Sequence, residues 1–190
     1  MIFLRVIHVC FVLTLAVASA EPLTRLAEIR ALTPEAAAKG LPVRVEGTVV
    51  AIEPSTRQQF FLHDGADGCF IRPIDAQRKV GLVPGDQVLV EGVSDALGYY
   101  PSVRNARVKV LGKRELPVPL KPGAGQMFAP ELDSQWAEVP AMVTGCDMGD
   151  DRVTLALEVH GLPFKAELPV TPDAADRASA LMQRPVLLRG

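Results

Sequence analysis

From Leu41 onward, apolar and polar residues alternate with a period of two over most of the chain, the signature of half-buried strands. Val43, Val45, Gly47, Val49 and Ala51 share one face of a first predicted strand, with Arg44, Glu46 and Thr48 on the other. Phe60 and Leu62 continue the inward face, and Asp64-Gly65-Ala66-Asp67-Gly68 supplies a hairpin connection rich in turn formers. Cys69 and Ile71 point inward after it. Pro84-Gly85-Asp86 is another turn, followed by Val88 and Val90, and Val103 to Leu111 forms a last strand. Gly47 in mid-strand weakens the strand unless the chain bends sharply there, as barrel strands do. Five such strands bounded by glycine turns predict a small closed barrel.

The pattern then repeats. A shift of ~94 positions places Val45 on Val139, Gly47 on Ala141 and Val49 on Val143, and a shift of ~98 places Val88 to Gly92 on Val186 to Gly190. Strands are predicted at 138–143, 153–159, 164–170 and 184–190, one fewer than in the first copy. Thr171-Pro172-Asp173 opens a helix reaching about Gln183, with Ala174, Ala178, Leu181 and Met182 as its apolar side. The fold class is therefore all-β: two tandem five-stranded barrels, the second lacking its last strand. Pro117 to Pro130 is a proline- and glycine-rich linker, and Trp136 is expected to anchor it against a barrel.

A short helical lead-in precedes the strands. Thr24 is placed to cap a helix over Arg25 to Arg30. Thr33-Pro34 reads as cap and first-turn proline for a second helix that stops at Gly40. Before it, Arg5, the apolar run Val6 to Val17 and Ala18-Ser19-Ala20 have the form of a cleavable signal peptide, too short in apolar length to span a bilayer. The expected organisation is signal peptide 1–20, lead-in 21–40, first barrel 41–113, linker 114–135 and incomplete barrel 136–190. The mature chain is expected to begin after Ala20, to lack a membrane span and to reside in the periplasm or outside the cell.

Composition narrows the function classes. The 22 acidic and 20 basic residues give a net charge of −2, which disfavours a broad electrostatic grip on nucleic acid. Cys69 and Cys146 fall in separate apolar strands and are expected as buried free thiols; with His63 and His160 they make no zinc spacing. Asp64, Asp67 and Asp86 lack the register of a calcium loop and serve turns instead. Neither a metal nor a cofactor is expected. No nucleophile elbow, phosphate loop, Ser/His/Asp grouping or paired catalytic carboxylate is present, so no enzyme activity is expected.

Candidate binding residues lie on the outward side of the second and third strands, where Phe61, His63, Phe70 and Arg72 combine rings with a cation suited to stacking. Alternatively, the two phenylalanines are covered by another part of the chain. Tyr99 and Tyr100 occupy the loop before the last strand of the first copy, either as ligand contacts or with one ring capping the barrel end. Arg57, with Arg104 and Arg107, forms either a local positive rim or part of a mixed-charge surface.

Val-Glu-Gly-Thr-Val at 45–49, Phe-Leu-His-Asp-Gly-Ala-Asp-Gly at 61–68 and Pro-Gly-Asp-Gln-Val-Leu-Val-Glu-Gly at 84–92 resemble the OB-fold, a five-stranded barrel that binds oligonucleotides, oligosaccharides or small ligands. Ile29 to Ala37, Gly40 to Arg44 and Asp133-Ser134-Gln135-Trp136 further resemble the extracytoplasmic input regions of bacterial sensor histidine kinases and related signalling proteins. That resemblance implies export, tandem barrels and a sensory role with a small ligand or a protein as partner. The chain carries no kinase motif, and Pro140-Ala141 replaces the Glu-Gly expected in the second copy. The alternatives are a periplasmic OB protein that binds oligonucleotides or glycans directly, or a truncated gene product without independent function.

Overall fold

The computed structural model describes residues 21–56, 58–74, 81–123 and 125–190. The expected signal peptide and Arg57 lie outside the described residues.

Five strands close into a barrel: β1 (Pro42–Ile52), β2 (Phe60–His63), β3 (Gly68–Pro73), β4 (Asp86–Asp95) and β5 (Ser102–Lys113). Their order is β1-β2-β3-β5-β4, with β4 returning antiparallel to β1 from Pro42↔Val93 to Thr48↔Gln87. The parallel pairing of β3 with β5, Ile71 opposite Val103, seals the cylinder. This closed five-strand topology is the OB-fold. Its interior is filled by the side chains the alternation placed inward, among them Val43, Val45, Val49, Phe60, Leu62, Ile71, Val88 and Val90.

Two details depart from strict alternation. Ala51 does not continue the inward row, because a bulge between Val49 and Ala51 shifts the register and buries Val49 and Val50 in succession. At Gly47 a Cβ would lie 2.8 Å from both His63 O and Leu62 Cγ, so β1 and β2 approach closely only because no side chain stands between them.

The lead-in folds as α1 (Leu26–Arg30), whose Leu26 and Ile29 join the barrel core, and α2 (Pro34–Ala37). Thr33 caps α2 as expected, its Oγ1 accepting from Ala36 N at 3.2 Å. Thr24 does not cap α1. Instead Glu28 accepts from the Thr24 and Arg25 amides, and Asp64 of the β2–β3 turn accepts from Leu26 N at 3.0 Å. A long-range carboxylate thus satisfies a helix start that sequence assigned to a neighbouring threonine.

The remainder holds β6 (Glu138–Met148), β7 (Arg152–Val159), β8 (Leu162–Pro169), α3 (Ala174–Leu181) and β9 (Pro185–Arg189). They form an open four-stranded sheet in the order β8-β7-β6-β9, which repeats the order β3-β2-β1-β4 of the barrel. Ala174 and Ala178 of α3 pack on the sheet, whereas Met182, expected on the apolar side, follows the helix end and is exposed. Pro140-Ala141 does not spoil β6. Its irregularity falls at Val143/Gly145, and Pro140 precedes the first β6–β7 pair, Met142↔Glu158. Trp136 is buried and donates Nε1–H to Pro117 O at 3.0 Å, anchoring the linker. Cys69 is buried and Cys146 half-buried, and both are free thiols, so only one matches the expected burial.

Candidate ligand-binding face of the barrel

Phe61 and Phe70 are directly opposed on β2 and β3, and their rings meet at 5.1 Å between centroids with a 43° tilt. Such a cross-strand aromatic pair stiffens the hairpin. Both rings are half-buried, so an apolar strip stays open to solvent beside them. Arg72, two residues on along the same face, is drawn into an ion pair with Asp95 at the end of β4. Asp95 also meets Arg104 at 3.4 Å. Among the described residues, one carboxylate thus stands between two guanidiniums beside the aromatic strip.

His63 does not belong to this open surface. The residue is only 5% exposed and its Nδ1 accepts from Gly65 N at 3.0 Å. It lines a cavity with Thr48, Asp64, Arg114, Pro117 and Val118. Burial lowers its pKa below the ordinary value of 6.5, against the opposing pull of Asp64 and Asp67. The imidazole therefore stands at the edge of that cavity with one nitrogen engaged by a turn amide.

Tyr99 and Tyr100 part company. Tyr99 is 85% exposed at the tip of the β4–β5 loop, in reach of any ligand that approaches there. Tyr100 lies beneath the guanidinium of Arg30, whose Cζ is 4.1 Å from the ring centroid, and its amide donates to Asp133 Oδ2 at 3.3 Å. Exposed Leu97 and Ile74 add apolar surface on this loop and just past β3.

Arg30 is the residue the sequence reading missed. Its side chain is 9% exposed and donates to Gly68 O at 3.2 Å, Asp133 O at 2.8 Å and Glu131 O at 2.9 Å, with Asp67 3.6 Å away. One guanidinium thereby joins α1, the β2–β3 turn, the Tyr99–Tyr100 loop and the linker. Gln135 reinforces the join, accepting from Gly68 N and donating to Asp67. Contact at Gly68 is so tight that a Cβ there would lie 1.8 Å from Ser134 O. The available signal was spacing: Arg30 stands four residues after buried Leu26, on the apolar side of α1, where a free arginine has no place.

Among the described residues no group of three or more His, Cys, Asp or Glu is placed to hold a metal ion, and no helix is long and apolar enough to cross a membrane. Burial raises the Cys69 thiol to about 12, so it is not a nucleophile.

No protein-family model matches the chain, and no curated protein matches it. Solved structures resemble it loosely. The hypothetical protein ygiW from E. coli is 18% identical, with a TM-score of 0.34, over 48% of this chain and 92% of its own. A murine DNA-binding protein solved with double-stranded DNA is 12% identical, with a TM-score of 0.35, over 70% and 79%. The Ifi202 HINa domain, solved with 20-bp double-stranded DNA, is 10% identical, with a TM-score of 0.32, over 68% and 75%.

Proposed function

We propose that this protein is an exported, non-enzymatic sensory module that captures a small ligand or a protein partner on its OB barrel. The observation that carries this reading is the open aromatic strip of Phe61 and Phe70 beside the Arg72–Asp95–Arg104 cluster and exposed Tyr99. Rings flanked by cationic groups suit planar or sugar-like chemistry, through stacking and cation–π contact. The second sheet acts as a further, unclosed OB-like unit that receives the signal. Arg30 supplies the route: a ligand that moves the Tyr99–Tyr100 loop moves the ring stacked on Arg30 and the linker carbonyls it holds. With a net charge of −2, direct capture of nucleic acid is the weaker reading.

Titration of the chain with mononucleosides, short oligosaccharides and single-stranded oligonucleotides, followed by amide NMR, tests the proposal. Saturable shifts over β2, β3 and residues 96–100 support it. Oligonucleotide binding that weakens steeply with salt would assign the face to nucleic acid instead.

A further inference from the structure

Thr48 and His63 are directly paired across β1 and β2, and both residues are buried, at 4% and 5% exposure. Thr48 is held from both sides, since it also pairs with Gln87 of β4. Buried polar side chains ordinarily find hydrogen-bond partners. Among the described residues, neither the Thr48 hydroxyl nor His63 Nε2 has one; only His63 Nδ1 is engaged, by the Gly65 amide. An Nδ1 that accepts leaves the proton of a neutral imidazole on Nε2. Two buried groups with unspent hydrogen-bonding capacity thus line one cavity of about 330 Å³.

The other wall comes from the stretch after β5. Arg114 is fixed at its root by its amide, which donates to Gly85 O at 2.8 Å. Its guanidinium and the Glu115 carboxylate, both on the exposed rim, make no ion pair among the described residues. Pro117 and Val118 add apolar surface, and Pro117 is tied down through the carbonyl that accepts from buried Trp136. A floor on paired strands and a wall fastened to a buried tryptophan make a preformed site.

The geometry points to a second binding site here, separate from the aromatic strip, for one neutral polyhydroxylated molecule of monosaccharide size. An anion meets two carboxylates, Asp64 and Glu115, against the single guanidinium of Arg114, and burial keeps the imidazole uncharged at neutral pH. A cation meets Arg114 and the Nε2–H donor. Among the described residues the lining holds no ring besides the imidazole, so a nucleobase has nothing to stack on. A hydroxyl both donates and accepts. Several on one ring satisfy Thr48 Oγ1, His63 Nε2–H, the Arg114 guanidinium and the Glu115 carboxylate together, with Pro117 and Val118 against the C–H faces. Asp64 is not needed as an acceptor, because its two oxygens already take the Leu26, Ala66 and Asp67 amides. The volume lies at the lower end for small-molecule sites, which suits one ring and not a chain of them. The inference does not rest on what the aromatic strip binds.

The test is NMR titration of the full chain with glucose, galactose and their uronates, glucuronate and galacturonate. At least one neutral sugar produces saturable shifts at the Thr48, His63 and Gly65 amides, at residues 114–118 and at His63 Nε2, while Phe61, Phe70 and Tyr99 stay unmoved. The matching uronate binds more weakly. Thr48→Val keeps the branched shape, deletes the hydroxyl and weakens binding roughly 10-fold, and Thr48→Ser restores it. Arg114→Gln, at an exposed position that folding does not depend on, weakens binding as well. Four results overturn the proposal: no saturable shift with either neutral sugar, shifts confined to Phe61, Phe70 and Tyr99, a uronate that binds more tightly than its parent sugar, or unchanged affinity in Thr48→Val or Arg114→Gln.

Discussion

Replacing Arg30 with alanine should release the linker from the barrel without unfolding the barrel. The guanidinium makes three hydrogen bonds to carbonyls, of Gly68, Glu131 and Asp133, and a cation–π contact with Tyr100. Charge-assisted bonds contribute about 1.5–3 kcal/mol each, and the ring contact about 1 kcal/mol, when counted singly. They do not add fully. Once the linker lifts, the carbonyls of Glu131 and Asp133 recover water, and only the Gly68 carbonyl stays near the gap. A net loss of about 2–4 kcal/mol in linker docking follows. Hydrogen exchange reads it directly, because the Tyr100 and Gly68 amides are bonded across this join. Their exchange should accelerate by roughly 30-fold or more, with slow exchange retained at Val45 and Val90. Arg30→Lys should restore little, since lysine lacks the planar fork that reaches several carbonyls at once. Unchanged exchange at Tyr100 and Gly68 in the alanine variant would refute the reasoning.

The same join can be opened from its other side: Gly68→Ala places a methyl within 1.8 Å of Ser134 O, so exchange over 134–136 should rise while Arg30 remains intact. His63 makes stability depend on pH. Burial lowers its folded pKa below 6.5, so the unfolded chain takes up the proton first. Urea-unfolding stability should therefore fall as pH drops below about 6.5, and His63→Gln should flatten that slope. Cys69, raised to about 12, should resist thiol reagents at pH 8, while half-buried Cys146 should be alkylated, as peptide mass spectrometry can resolve.

The barrel was legible because its information is local. Alternation from Val43 to Val49, turn glycines at Gly65 and Gly85, and Thr33-Pro34 ahead of a helix each follow from backbone physics acting over a few residues. The bulge after Val49 was not, since it depends on how β2 sits against β1. The open aromatic strip was legible in Phe61 and Phe70, whose period-two spacing put them outside. The same spacing put His63 outside as well, and it does leave the barrel interior, yet it is buried beside a pocket that Pro117 and Val118 line from a distant stretch. Tyr99 and Tyr100 are adjacent in sequence yet divide between solvent and Arg30, because the ion and hydrogen-bond partners come from residues 30 and 133. Contacts across a hundred residues leave no periodic trace. An arginine on the buried side of a short helix was the one local hint.

Recognition by the β2–β3 face and the Tyr99 loop is tested most directly by comparing ligand-induced amide shifts in the native chain and in a Phe61→Ser, Tyr99→Ser double variant. The account predicts saturable shifts over β2, β3, residues 96–100 and, through Arg30, residues 131–136, all lost in the variant. A ligand that shifts only the second sheet, or that binds the variant equally well, contradicts it.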